Sequence, residues 1–456
     1  MRKALFRPLA HVAFLLALLL LGARPALAQS ILRDAETEAL LDDMAAPIVK
    51  AAGLDPDNVD IILVNDQSVN AFVAGGQAIY INAGLINEAD TALQVQGVIA
   101  HEMGHITGGH IIGFSDGARA ASNISILSLI LGAAAAVAGG GEAAMGVIAA
   151  GQQAAMGKFL AFTRGQESAA DLAGAKYLSG AGLSGRGSLE FFQKLQSLQR
   201  RHGYFAKEED SFYSTHPLSR DRIATLEGVY EKDPAWQRPA DPELQQRFLR
   251  MKAKLYGYQA DPKDTLIAYP ESDTSIPARY ARAYAREKQA LVPQSLAEAD
   301  ALLAAEPDNP YFLELKGQVL LEAGRAAEAL TPLRRSVDIS SNQPLIATLF
   351  GHALLETEDA ANYPEAERVL RAAVARDRFN PSAWYMLGRI YADQGDTPRA
   401  RLASAEQLMM SGQVAAALQN ATAAEAGLPA ETPDWLRAQD IKLEARAEIE
   451  RQRKRK

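Results

Sequence analysis

Pro310, Pro344 and Pro381 are each followed seven residues later by a glycine, at Gly317, Gly351 and Gly388. Successive copies are 34 and 37 residues apart. A period of this length reads as a helix pair. One pair cannot bury its own apolar face, so its neighbours must complete it and the copies must stack. The three additional residues of the longer interval fall in the acidic stretch 356–363. Residues 276–305 fit a preceding copy, and residues 407–424 a degenerate later one. A generic helical bundle would not keep proline and glycine in step.

That placement is the signature of the tetratricopeptide repeat. The preceding part of the chain reads as one mixed domain, residues 29–235. Residues 31–54 have helical periodicity, with Leu40, Leu41, Met44 and Ile48 on one stripe. Residues 60–65 form a short apolar run typical of a strand. Two further strands, 71–73 and 78–81, flank Gly75-Gly76 as a hairpin. Residues 91–108 and 161–178 read as helices, and 189–201 as an amphipathic one. Six prolines between residues 234 and 277 suggest a linker, 236–275, containing one helix from 242 to 256. The repeats then occupy residues 276–450, and a basic tail 451–456, expected to be solvated, ends the chain.

Arg2, Lys3 and Arg7 precede an apolar run from Leu9 to Leu21, and Ala26-Leu27-Ala28 has the form of a signal-peptidase site. Export with cleavage after Ala28 is expected, an uncleaved anchor being the alternative. Without residues 1–28 the formal charge moves from −8 to −12, since four basic residues and no acidic one are lost. So acidic a chain offers no footprint for nucleic acid. It has no cysteine, so any metal site must use His, Asp or Glu. Residues 120–157 carry one charge, Glu142. The expectation is a buried helical hairpin packed near the active site. Membrane helices, or an apolar lid touching a membrane, are the other readings.

Ile99-Ala-His101-Glu102-Met-Gly-His105 carries the chemistry. Positions i and i+4 share one face of a helix, so His101 and His105 can aim at a single zinc ion. Glu102 is placed to act as general base toward a water there. A catalytic zinc takes three protein ligands and keeps one position open. A third histidine ten residues after the first would fall at Ile111, so that arrangement is excluded. His110 is one residue off and would face away on a continued helix, which makes it a supporting or merely exposed residue. Within Arg164-Gly-Gln-Glu167-Ser-Ala-Ala-Asp171, Glu167 and Asp171 lie one turn apart. Glu167 is the expected third ligand. Asp171 is expected to orient a ligand histidine through its other ring nitrogen. An exposed carboxylate pair is the bland alternative, but the small apolar neighbours imply close packing.

The combination of HEMGH, RGQESAAD and Thr215-His216-Pro217-Leu-Ser-Arg220-Asp-Arg222-Ile resembles the gluzincin family of CaaX prenyl proteases and HtpX-type proteases. The stretches Asn70-Ala71-Phe72 and Gly76 to Leu85 resemble that family's edge hairpin. A signal peptide and tetratricopeptide repeats resemble its soluble periplasmic branch. The resemblance implies His101, His105 and Glu167 as zinc ligands, Glu102 as base and Asp171 as their acidic partner. It implies that His216 can occupy the open site as a self-inhibiting fourth ligand. By its chemistry alone, His216 could be that plug, a donor to the oxyanion or a loop residue.

The expected fold is thus an α+β zincin-like metallopeptidase domain, mainly helical with a small edge-hairpin sheet, followed by an all-α tetratricopeptide-repeat solenoid. The expected function is that of a periplasmic zinc endopeptidase holding one Zn2+ per chain. Its substrates are proteins. The resemblance implies misfolded or stalled outer-membrane proteins, with the repeats recruiting clients or the outer-membrane assembly machinery. Residues 120–157 could add peripheral membrane contact. The alternatives are a chaperone or scaffold with proteolysis held in check, and an integral-membrane protease.

Overall fold

The computed structural model describes residues 31–137, 141–202 and 216–455. The expected signal peptide lies outside the described residues. Helix α1 (Ala35–Ala51) starts at Asp34, whose carboxylate accepts the Thr37 N–H. It buries the stripe Leu40, Leu41, Met44 and Ile48. Strands β1 (Asp60–Val64), β2 (Ala71–Ala74) and β3 (Ala78–Asn82) form a sheet in the order β1-β3-β2. β3 pairs parallel with β1 and antiparallel with β2. Gly75 and Gly76 take φ of 64° and 109°, conformations open to glycine, in the three-residue loop 75–77 that joins β2 to β3. Only β2 of the expected edge hairpin is an outer strand, because β1 covers the other side of β3. The Asn82 N–H donates to the Asn70 carbonyl. By the antiparallel alternation, Ala71 and Val73 turn their backbone groups outward.

Helices α2 (Ala83–Glu88) and α3 (Ala92–Thr107) follow. The Thr91 hydroxyl caps α3 by accepting the Gln94 N–H. Every residue from Gln94 to His105 is buried, so α3 runs through the middle of the domain. Helices α4 (His110–Val137) and α5 (Gly141–Gly180) form a hairpin. A Cβ at Gly151 would fall 1.9 Å from the Ser128 Cβ, so glycine is what lets these two helices touch there. α5 runs without a break from the hairpin through the helix expected at 161–178. The expectation of a buried hairpin is corrected. Ile126, Leu127, Ile130, Leu131, Met145 and Met156 are all exposed. No described helix is long and apolar enough to cross a membrane.

Helices α6 (Arg186–His202), α7 (Arg220–Tyr230) and α8 (Pro242–Gln259) complete this half. Phe191 and Phe192 of α6, and Phe248, Met251 and Leu255 of α8, share one core with α1, the sheet and α3. The expected linker is therefore packed structure. Helix α9 (Pro262–Ala268) follows it at once.

The repeats are built from α10 (Ile276–Lys288), α11 (Val292–Ala305), α12 (Pro310–Glu322), α13 (Ala326–Ile339), α14 (Pro344–Glu356), α15 (Tyr363–Arg376), α16 (Pro381–Asp393) and α17 (Thr397–Met410). Helices α18 (Val414–Gly427) and α19 (Pro433–Arg455) close the stack. Pro310, Pro344 and Pro381 each open a helix, where a missing N–H costs nothing. The paired glycines serve the second helix of each unit. A Cβ at Gly317 would fall 2.3 Å from Leu333, and one at Gly351 would fall 2.6 Å from Leu370. Gly388 faces the smaller Ala403 instead, and there a Cβ would fit at 3.5 Å. The additional residues of the longer interval form a turn that includes the 3-10 segment Ala360–Asn362.

The two halves hold each other through the start of α1. Ala35 belongs to the repeat core around Phe350. Buried Glu36 receives Arg250 of α8 at 2.6 Å and the Tyr280 hydroxyl of α10 at 2.9 Å. Lys254 donates to Asp34 at 2.5 Å, and Arg33 reaches Asp377 at 3.0 Å.

Candidate metal centre

His101 and His105 stand one turn apart on α3, and Glu167 projects from α5. His216 arrives from the residues just before α7. All four are buried and offer donor atoms to one point. His101 Nε2 lies 3.2 Å from His105 Nε2 and 3.2 Å from His216 Nδ1. Glu167 lies 3.2 Å from His216 Nδ1, 3.3 Å from His105 Nε2 and 3.5 Å from His101 Nε2. These five separations, with all the donor atoms within 4.8 Å of one another, leave room for one metal ion between them. The donor set of three imidazoles and one carboxylate fits a zinc ion.

Two glycines bring α3 and α5 close enough for this. A Cβ at Gly104 would fall 2.5 Å from the Ala170 carbonyl oxygen. One at Gly174 would fall 2.9 Å from the Ala100 carbonyl oxygen. Small residues on both helices thus set the distance between Glu167 and the histidine pair.

Behind the donors lies a charged layer. His101 Nδ1 meets Asp171 Oδ1 at 2.9 Å. Arg222 of α7 grips Asp171 with two bonds, Nε to Oδ2 at 2.7 Å and Nη2 to Oδ1 at 2.8 Å. Its Nη1 reaches Glu167 Oε2 at 3.0 Å and donates to the Pro217 carbonyl at 2.8 Å. Arg222 therefore ties the His216 loop to both acidic residues of α5. Burial opposes charge on His101, but its bonds to Asp171 and Glu167 outweigh that and raise its pKa to about 10. Burial likewise opposes charge on Glu167, and the three histidines overcome it and hold its pKa well below the carboxylate range. Burial dominates at His105 and lowers its pKa.

Glu102 lies beside this set, 3.4 Å from His216 Nε2. Both its carboxylate oxygens are buried and accept no hydrogen bond from the described residues. His110 is not turned away, as a continued helix would require. α3 stops at Thr107, Gly109 takes φ of 62°, and the ring returns to place Nδ1 2.9 Å from His105 Nδ1.

The structure thus brings His101, His105, Glu167 and His216 to one point, with Glu102 and Asp171 against it. Sequence reasoning gave no role to Arg222. The available signal was an arginine six residues after His216, inside a motif already noted. Strand β2 packs beside α3, the helix that carries His101 and His105.

A buried helix bearing two imidazoles, a carboxylate from a second helix and a buried glutamate beside them define a metallopeptidase. Residues 32–230 match peptidase family M48, and residues 280–344 and 355–409 match the tetratricopeptide repeat. The chain carries a peptidase family M48 domain joined to tetratricopeptide repeats. It is similar to the beta-barrel assembly-enhancing protease of Yersinia pestis, 25% identical over 368 residues, which is 78% of this chain and 72% of that one. The protein of the same name from Escherichia coli K12 is 25% identical over 77% of this chain and 71% of its own. Metalloprotease LoiP of the same organism is 29% identical over 170 residues, 37% of this chain and 60% of that one.

Proposed function

We propose that this chain is a periplasmic zinc endopeptidase acting in outer-membrane protein assembly and quality control. The observation that carries the reading is the set of five contacts between 3.2 and 3.5 Å joining His101, His105, Glu167 and His216. The names of the similar proteins support the assembly role, and the repeats support recruitment of clients or assembly partners. The positive and apolar N-terminus supports export.

His101, His105 and Glu167 would hold the zinc. The ion supplies a Lewis acid for the scissile carbonyl and lowers the pKa of water to about 7. The chain's own residues do the rest. A substrate segment adds to β2, bonded by the outward groups of Ala71 and Val73. Glu102 takes the proton of the attacking water on a carboxylate oxygen and returns it to the leaving amine. Asp171, held by Arg222, fixes the ring of His101 through Nδ1. His216 fills the fourth corner, so it must withdraw before substrate enters, and in doing so it becomes free to donate to the oxyanion.

That fourth corner also favours a second reading, a chaperone or scaffold whose proteolysis is mostly held in check. Glu102→Gln separates the two, since a scaffold survives it and a degradative enzyme does not. The exposed apolar side of the α4–α5 hairpin supports peripheral contact with a membrane. The main test is zinc content of the purified protein, with proteolysis of an unfolded outer-membrane protein by wild type, Glu102→Gln and His216→Ala. One zinc per chain, loss with Glu102→Gln and a gain with His216→Ala are expected. A metal-free, inactive wild type overturns the reading.

A further inference from the structure

We infer that His110 is the positioning residue for His105, set in place by the bare backbone of Gly108. The inference rests on the proposal that His105 holds the metal through Nε2. A neutral imidazole that offers Nε2 to a metal carries its proton on Nδ1. His105 Nδ1 lies 2.9 Å from His110 Nδ1, so it donates to that nitrogen, and His110 then keeps its own proton on Nε2. Metal-bound histidines depend on such a partner for ring orientation and basicity.

The two histidines of α3 are therefore held differently. His101 leans on a carboxylate clamped by Arg222, while His105 leans on a neutral ring. That ring belongs to the first residue of α4, the outgoing arm of the apolar hairpin. The returning arm, α5, supplies Glu167, and Gln166 beside it donates to the His110 carbonyl at 3.4 Å. Both arms of the hairpin thus end on the metal donors.

Gly108 makes the arrangement possible. A Cβ there would fall 2.5 Å from His110 Nε2 and 2.8 Å from Cε1. Gly108 has an ordinary helical φ of −74°, so alanine suits its backbone. Gly108→Ala would therefore push the ring off His105 without removing it.

Zinc affinity is measured by competition with a chromophoric chelator, alongside the absorption spectrum of the cobalt-substituted protein and the melting temperature of the metal-free protein. His110→Leu and Gly108→Ala should each weaken zinc binding about 10- to 100-fold and shift the cobalt bands. His110→Asn, whose amide oxygen can accept the same bond, should stay within about 3-fold of wild type. Metal-free melting temperatures should stay close to that of wild type. Wild-type affinity in His110→Leu overturns the inference, as does equal loss in all three variants together with a lowered metal-free melting temperature. If the wild type itself binds no zinc, the underlying reading of the site has failed instead.

Discussion

Gly104→Ala isolates the role of helix spacing in the metal centre. The added methyl would sit 2.5 Å from the Ala170 carbonyl oxygen and 2.7 Å from its Cα. Ordinary contact begins at 3.4 Å, so α3 and α5 must separate by about 0.9 Å, and backbone on both sides leaves no side chain to yield. Glu167 lies one turn from Ala170, so its carboxylate moves with that stretch of α5. Metal sites tolerate ligand displacements of only about 0.2 Å. Gly104→Ala should therefore lower zinc affinity at least about 10-fold, equivalent to about 1.4 kcal/mol. It should also destabilise the metal-free fold by about 1–3 kcal/mol through overpacking. Chelator competition and urea unfolding read the two effects separately. Gly157→Ala, on α5, is the control, because its Cβ would meet nothing within 4 Å. That change should leave zinc affinity alone and stabilise slightly, since alanine favours the helix by about 1 kcal/mol over glycine. If Gly104→Ala binds zinc like wild type with unchanged stability, close helix approach is not what spaces the donors.

Arg222→Met should cost about 3–5 kcal/mol in urea unfolding, because it leaves Asp171 and Glu167 buried without their cation. Adding Asp171→Asn should recover part of that loss, and a strictly additive double variant would show that the two do not interact. Glu287 and Glu314 give a pH signature. Burial, with Glu322 near the former and Asp34 and Glu36 near the latter, raises both to about 8. Folding therefore holds protons that the unfolded chain releases above the ordinary glutamate pKa. Their stabilising contribution is full below that value and is lost as pH rises toward 8. Melting temperature should fall between pH 5 and 8, and Glu314→Gln should make that fall shallower. An unchanged slope would place the effect elsewhere. Glu102→Gln should abolish peptide hydrolysis while leaving zinc content at one per chain, as measured by atomic absorption.

What could be read from the chain followed from how local each constraint is. The two histidines of α3 share a helix face by covalent geometry, so their convergence needs no tertiary information. Glu167 was legible because small residues around it announced close packing, and Gly104 and Gly174 show where that packing occurs. The repeats were legible because Pro310, Pro344 and Pro381 keep a fixed distance to glycines that face the partner helix. His110 was read as turned away because periodicity alone does not show that α3 ends at Thr107. Arg222 escaped a role because its partners lie some 51 residues earlier in sequence. The segment read as a linker misled for a physical reason. Pro242, Pro262 and Pro277 look like breaks but stand in the first turns of α8, α9 and α10. The apolar hairpin misled for another, since composition does not say which side of a helix meets solvent.

The contacts at the start of α1 forbid treating the chain as two separable parts. Glu36 is only 3% exposed, and its counter-charges come from α8 and its hydroxyl partner from the first repeat helix. A cut after α9 would leave Tyr280 on the other fragment and open Glu36 and Lys254 to solvent. The whole chain should consequently melt in one calorimetric transition, its van't Hoff and calorimetric enthalpies agreeing despite the mixed architecture. A catalytic fragment expressed without the repeats should lose solubility before it loses its metal donors.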